Sequence, residues 1–241
     1  MSALFHLFIY KPLYNGFIIL IDLLPWVDVG IIIIIFTGIV KLVLFPLSRK
    51  AVISQMELKT LEPELQKIKE TYKDNKEEQA RKTMALYKDK KINPFSSIFV
   101  ALIQIPIILG LYFVFSKSGL PVINDSFLYS FTQHPSVINM DFLGIINISH
   151  RSIFLSLLAG VSSFFQMRFS MPPQAKKTSK TPSFGDDLAR SMNVQMRYGF
   201  PVIVFFISYS ISGVIALYWL TSNLFTLGQE MFIRRNVKTV S

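Results

Sequence analysis

The apolar residues of this chain concentrate in five runs that are separated by polar segments. Each run approaches the roughly 20 residues that an α-helix needs to cross a bilayer. A soluble domain could not bury so many runs of this length, so the pattern predicts an all-α polytopic membrane protein. The predicted transmembrane helices are residues 28–48, 93–117, 151–170, 195–210 and 213–233.

Residues 1–27 have a mixed pattern. Its apolar residues are interrupted by Lys11, Asn15 and Asp22, and Pro12 marks a bend or the start of a helix. This pattern predicts an amphipathic helix that lies at the membrane interface. An uncleaved signal anchor remains the alternative for this segment.

Residues 49–92 form the most strongly charged segment, and residues 49–91 hold 12 of the 25 Lys and Arg residues. Apolar residues recur there at helical spacing, and Asp74-Asn75 suits a turn. The segment is therefore predicted to be a helical hairpin that projects into water.

The net charge of +10 would suit a nucleic-acid binder, but its distribution follows the predicted membrane topology instead. Basic residues concentrate in the hairpin 49–92, the loop 171–194 and the tail 234–241, whereas the loop 118–150 contains no Lys or Arg. By the positive-inside rule the first three segments are cytoplasmic and the loop 118–150 is external. The chain is thus predicted to be a multi-pass protein of the cell membrane with its N-terminus outside and its C-terminus in the cytoplasm.

Signatures of enzymes are missing from the sequence. It contains no cysteine, no phosphate-binding loop and no His-Glu-x-x-His motif, and its three histidines are scattered. The sequence therefore predicts neither an enzyme nor a metal site, and no cofactor.

Lys41 is the residue that stands out, because it lies within an otherwise apolar predicted helix. A charge at the middle of a membrane costs roughly 2.5–3.5 kcal/mol on insertion scales, so a polar cavity, a partner or a substrate usually compensates it. Thr37 precedes it by one helical turn and shares its face. Snorkelling of the lysine toward the cytoplasmic end of the helix is the alternative interpretation.

Neutral polar residues recur in the other predicted helices. Those that could share an interior with Lys41 are Gln104, Gln166, Tyr218, Ser222 and a stripe formed by Trp219, Asn223, Thr226 and Glu230. Polar faces in a helical bundle converge on one another or on water, which predicts a hydrated interior. Interhelical hydrogen bonding by the glutamines and Asn223, and plain packing by Tyr218 and Trp219, remain open as alternatives.

The chain resembles the YidC/Oxa family of membrane-protein insertases. The resemblance extends over nearly the whole chain, because several short motifs occur in the family's order and spacing. The motifs are Ile39-Val40-Lys41, Phe45-Pro46-Leu47-Ser48, Asn93-Pro94, Leu102-Ile103-Gln104-Ile105-Pro106-Ile107 and Leu217-Tyr218-Trp219-Leu220-Thr221-Ser222-Asn223-Leu224.

The resemblance implies five transmembrane helices around a hydrophilic groove. The family's groove contains a basic residue, usually arginine, that maps onto Lys41, so the lysine is a departure. The other positions that would line the groove are Thr37, Gln104, Gln166, Tyr218, Trp219, Ser222 and Asn223. A large external domain and a long basic tail are not seen in this sequence, which suggests a minimal five-span form.

The function implied is that of an insertase or chaperone. It would admit the hydrophilic flank of a client into the groove and release the client's apolar segment to lipid without ATP. Its partners would be nascent membrane proteins and the lipid bilayer, with the ribosome, a targeting receptor and the Sec translocon meeting residues 49–91 and the basic tail. A secondary transporter or channel, and a lateral assembly factor, are the alternative functions.

Overall fold

The computed structural model describes residues 3–93, 105, 107–115, 122–135, 137–170, 191 and 193–238. Within these residues helices predominate, which agrees with the predicted all-α class. Much of the predicted helix 93–117 and of the predicted loop 171–194 lies outside the described residues, as does Gln104.

The helices are numbered here in chain order. They are α1 (Ala3–Phe5, the π-helical His6–Tyr10 and Lys11–Leu23), α2 (Val29–Val43), α3 (Phe45–Thr60), α4 (Glu62–Thr71), α5 (Lys76–Asp89), α6 (residues 107–115), α7 (Ile153–Ser170), α8 (the π-helical Gln195–Gly199 and Phe200–Ile211) and α9 (Gly213–Lys238). A 3₁₀ turn occupies Asp125–Phe127.

Helix α2 ends at Val43, five residues before the end of the predicted span 28–48. Pro46 explains the interruption, because it lacks an N–H and its ring clashes with the carbonyl one turn earlier. The chain resumes as α3, with Pro46 in its first turn. There the backbone N–H of Ser48 donates to the carbonyl of Leu44 at 3.0 Å. Proline is well tolerated at such a helix start.

One helix in the described part of the chain, α7, is long and apolar enough to cross a membrane by itself. Helices α2 and α3 meet the same criteria only when they are taken together as a bent pair.

A short β-hairpin, which the sequence pattern did not predict, precedes α7. Strand β1 (Asp141–Phe142) pairs antiparallel with β2 (Ile146–Asn147). The hairpin lies against the start of α2, where a Cβ on Gly30 would collide with the Phe142 ring. Only a glycine fits at this close approach, so the ring takes the place of a side chain on α2.

The structure divides into two compact units. The first comprises residues Met1–Val43 and Pro106–Gly228. Its core includes Ala159 of α7, Val204 of α8, and Ile215 and Trp219 of α9. These helices approach closely enough for a Cβ on Gly160 to lie 3.2 Å from the carbonyl oxygen of Pro201.

A polar clasp closes one end of the first unit, between α1 and residues 122–135. Its centre is Asn15, which is buried on α1. The Asn15 Nδ2 donates to the carbonyls of Lys11 and Phe127, each at 2.8 Å. Its Oδ1 accepts from the Tyr129 N–H at 2.7 Å and from the Thr132 hydroxyl at 2.9 Å. One buried amide is thus fully satisfied while it holds a distant segment in place.

The second unit comprises Leu44–Ile105 and Gln229–Ser241, and it holds the charged hairpin. Helices α4 and α5 are joined by a hydrogen bond from the Gln79 amide to the Lys69 carbonyl at 3.1 Å. An ion pair between Lys90 and Glu64, at 3.6 Å, joins the same two helices. Asn75 caps α5 by accepting from the Glu78 N–H.

Candidate functional site

Lys41 lies in the last turn of α2 and reaches across to α9. Its Nζ donates a hydrogen bond to the Thr226 hydroxyl oxygen at 3.0 Å. The same hydroxyl donates to the Ser222 carbonyl at 2.8 Å, which orients its lone pairs toward the lysine. The lysine is therefore held inside the first unit at a defined position.

A close approach of the two helices places these groups together. A Cβ on Gly38 would lie 3.0 Å from the tip of the Phe225 ring, so glycine lets α2 come near α9. Lys41 follows Gly38 by nearly one turn, and Thr226 follows Phe225 directly. Their side chains consequently meet just beyond the contact.

The Thr226 hydroxyl stabilises the ammonium group without neutralising it. A hydroxyl oxygen is a neutral acceptor, so the hydrogen bond replaces part of the lysine's hydration but adds no negative charge. A cation in this position attracts carboxylates that come close to it, and more strongly than it would in bulk water.

Asn223 connects α9 to α7. Its Nδ2 donates to the Ser163 hydroxyl at 2.7 Å and to the Ser162 hydroxyl at 3.0 Å, and all three side chains are buried. This arrangement favours interhelical hydrogen bonding, one of the two interpretations that the sequence left open for Asn223.

The remaining candidates are mostly buried. Thr37 donates to the Ile33 carbonyl of its own helix at 2.7 Å, and Trp219 is part of the core around Ala159. Gln166 is half-buried and donates to the Ser170 hydroxyl at 3.1 Å. Tyr218 and Ser222 are buried on α9, and Gln104 lies outside the described residues.

The structure thus brings Lys41 of α2 to the turn Ser222–Thr226 of α9. The same turn contacts α7 through Asn223. Sequence reasoning had not chosen Thr226, Ser162 or Ser163 as site residues. Thr226 was detectable, since it lies on the stripe with Trp219 and Asn223. The two serines gave no signal, because serine is common in helices that pack closely in membranes.

Within the described part of the chain, no cluster of histidine and acidic side chains could hold a metal ion.

Comparison with known proteins adds to this geometry. The family model for the 60Kd inner membrane protein matches residues 22–240. The chain belongs to the YidC/Oxa family. The match includes the whole of α2 and α9, and therefore both sides of the Lys41–Thr226 contact. This confirms the family that the sequence motifs indicated, and it makes the chain a helical membrane protein.

Three relatives of the YidC/Oxa family come from Francisella tularensis, and each is described as a membrane protein insertase YidC. The proteins of subspecies novicida, tularensis and holarctica are each 31% identical to this chain over 207 residues. The aligned region is 86% of this chain and 32% of each relative. The chain therefore spans about a third of the length of these curated relatives.

Proposed function

We propose that this protein is a membrane-protein insertase or chaperone that uses Lys41 to attract acidic residues of its clients. The observation that carries the proposal is the hydrogen bond between Lys41 and Thr226, because it holds a basic side chain at a defined position within the first unit. The names of the Francisella relatives support the same activity.

In this mechanism the hydrophilic flank of a client enters a hydrated groove beside Lys41, where its polar groups keep hydrogen-bonding partners. The predicted lining residues are Thr37, Gln104, Gln166, Tyr218, Trp219, Ser222 and Asn223. The apolar segment of the client moves into lipid meanwhile. Apolar residues each gain roughly 0.3–0.6 kcal/mol at the centre of a membrane, so a segment of about 20 residues drives its own release without ATP.

The topology that suits this mechanism has the N-terminus outside and the C-terminus in the cytoplasm. The basic second unit then faces the cytoplasm, where residues 49–91 and the tail receive clients. The ribosome, a targeting receptor or the Sec translocon would meet the same surface, since its excess of lysine and arginine attracts ribosomal RNA and anionic headgroups.

Charge variants of Lys41 test the attraction directly. Lys41→Arg should retain insertion of a client with an acidic flank into proteoliposomes, because the positive charge is kept. Lys41→Glu should abolish it, because like charges repel. A client whose flank is neutral serves as the control and should respond much less to either change. Full insertion of the acidic client by the Glu variant would contradict the mechanism.

Crosslinking separates an insertase from a bystander in the membrane. A photoreactive residue at position 166 should capture a nascent client during its insertion, because Gln166 is a predicted groove residue that is only half-buried. The same group at the exposed Phe154, at the far end of α7, is the control. Capture at position 154 alone would argue for a lateral assembly factor, and solute flux through the reconstituted protein would argue for a channel or transporter.

A further inference from the structure

The tip of the β-hairpin is apolar and strongly exposed. Leu143 and Ile145 are 59% and 82% exposed, respectively, while Phe142, the last residue of β1, packs on Gly30. Two large aliphatic side chains at such a turn are unusual, because turns favour polar residues and glycine.

Leu143 also adopts a backbone conformation that leucine avoids. Its φ is +53°, and φ of the following Gly144 is +68°. Asparagine or glycine would be favoured at a positive φ, whereas a bulky side chain is a clear outlier. The conformation of the turn therefore does not explain why position 143 carries an apolar side chain.

The backbone donors of the tip are satisfied without water. The Leu143 N–H donates to Asp28 Oδ2 at 3.2 Å, the Gly144 N–H to the Asp141 carbonyl and the Ile145 N–H to the Phe142 carbonyl, both at 3.0 Å. Unsatisfied backbone groups are what keep most turns out of lipid. This turn has paired its N–H groups, so it suits the membrane interface, where water can still reach its carbonyls.

The hairpin lies among the starts of three helices. Asp28 holds Leu143 beside the start of α2, two residues from Trp26, which is 77% exposed. The segment after the hairpin is tied to the start of α9 by the bond from Gly213 N to the His150 carbonyl at 2.7 Å. The membrane-length helix α7 begins immediately afterwards with Ile153 and Phe154, both exposed. The tip and the start of α7 therefore both present exposed apolar side chains, within a short stretch of chain that is tied to the starts of α2 and α9.

We propose that Leu143 and Ile145, together with Trp26, insert into the lipid interface on the side of the membrane where α2 begins. Tryptophan prefers this interface, where its ring is partly apolar and partly polar. Asp28 is the positioning residue, because it receives the Leu143 N–H and also the Ile31 N–H at the start of α2. The hairpin thereby fixes the depth of this end of the first unit, whatever the protein does with clients.

Fluorescence quenching tests this proposal, and the absence of native cysteine allows single labels. Ile145→Cys and Trp26→Cys would each be labelled with an environment-sensitive dye in proteoliposomes of phosphatidylcholine and phosphatidylglycerol. Both dyes should emit at shorter wavelength than in water. Nitroxide lipids labelled near the headgroup should quench them at least about twofold more than lipids labelled deep in the acyl chain, as expected of interfacial groups.

Ser149→Cys is the matched control, since Ser149 is an exposed polar residue just after the same hairpin. Its dye should be quenched by aqueous iodide and not by the lipids. Iodide quenching of the Ile145 dye as strong as that of the control would overturn the proposal. So would lipid quenching of all three dyes, or shielding of the Ile145 dye that disappears when the protein is diluted with lipid, because the last result identifies a second copy as the partner.

Discussion

The hydrogen bond to Thr226 fixes the position of the Lys41 side chain, the most unusual residue of α2. The sequence alone shows that Lys41 is costly in a membrane helix, because that cost follows from its charge and its apolar neighbours. It cannot show that Thr226 is the acceptor, since the choice depends on how α2 and α9 approach at Gly38. The Asn223 contacts with Ser162 and Ser163 were equally hidden.

Thr226→Val should weaken the function while leaving the fold intact. Valine keeps the shape of threonine but cannot accept the hydrogen bond from Lys41, so the ammonium group loses its defined position. Insertion of an acidic-flanked client should fall about threefold, since intramembrane hydrogen bonds average roughly 0.6 kcal/mol. Thr226→Ser retains the hydroxyl and should insert normally. Equal loss in both variants would indicate a packing defect and would contradict a role for the hydroxyl.

Asn223→Ala should instead reduce stability. The change removes the bonds to Ser162 and Ser163, and the free energy of unfolding should fall by about 1–2 kcal/mol. Thermal unfolding in detergent measures this effect. Leu224→Ala, which alters an exposed neighbour on α9, should change stability by no more than about 0.5 kcal/mol. An unchanged melting temperature in the Asn223 variant would restore its groove-lining role over its packing role.

At the scale of elements, the sequence indicates helices well and their ends less well. Helical periodicity within 49–92 comes from local side chains and suits the helices observed there. The end of α2 is harder to predict, because the apolar run continues past Val43 and favours a longer helix, whereas Pro46 interrupts it. In the structure α2 ends at Val43. The β-hairpin escaped prediction because its strands are two residues long and depend on a distant contact, that of Phe142 with Gly30.

The cap of α5 gives a prediction at this scale. Asn75→Ala removes the acceptor of the Glu78 N–H and should destabilise the helix by about 1 kcal/mol, whereas Asn75→Ser should not. Amide hydrogen exchange of residues 76–79 in the intact protein measures the difference. Equal exchange in both variants would show that the cap contributes nothing.

The same helix turn should respond to pH. The hydrogen bond from Arg81 holds the pKa of Glu78 below its ordinary value. The contribution of this pair is complete above the ordinary pKa of a glutamate and is lost as the pH falls through the lowered one. The protection factor of the first turn of α5, which corrects for the intrinsic pH dependence of amide exchange, should therefore fall in acid, and Glu78→Gln should remove that fall.

At the scale of the whole molecule, hydropathy and charge indicate a helical membrane protein, and the family comparison agrees. What they leave out is how the end of the first unit is closed. The sequence pattern indicates that Asn15 is one of the polar residues of an amphipathic helix at the interface. In the structure it is buried, because four partners on both sides of the clasp satisfy it.

Asn15→Ala should destabilise the first unit by on the order of 3 kcal/mol, because it leaves the partly buried Tyr129 N–H, Phe127 carbonyl and Thr132 hydroxyl without their partner. Proteolysis within residues 122–135 should accelerate accordingly in the reconstituted protein. Ser149→Ala, an exposed change on the same side, should have no measurable effect. Normal protease resistance of the Asn15 variant would mean that aromatic packing around Phe127 suffices to close this end.

The clasp also sets a sequence of events during synthesis. The Asn15 amide bonds to residues that follow it by 112 to 117 positions. At roughly 5–20 residues per second, a ribosome needs about 6–23 s to make that length of chain. During this interval the Lys11 carbonyl pairs with one N–H of the amide and water has to satisfy the rest, so α1 stays at the aqueous boundary until the later segment is made. This end of the first unit therefore closes only after residues 127–132 have been synthesised, long after Asn15 itself.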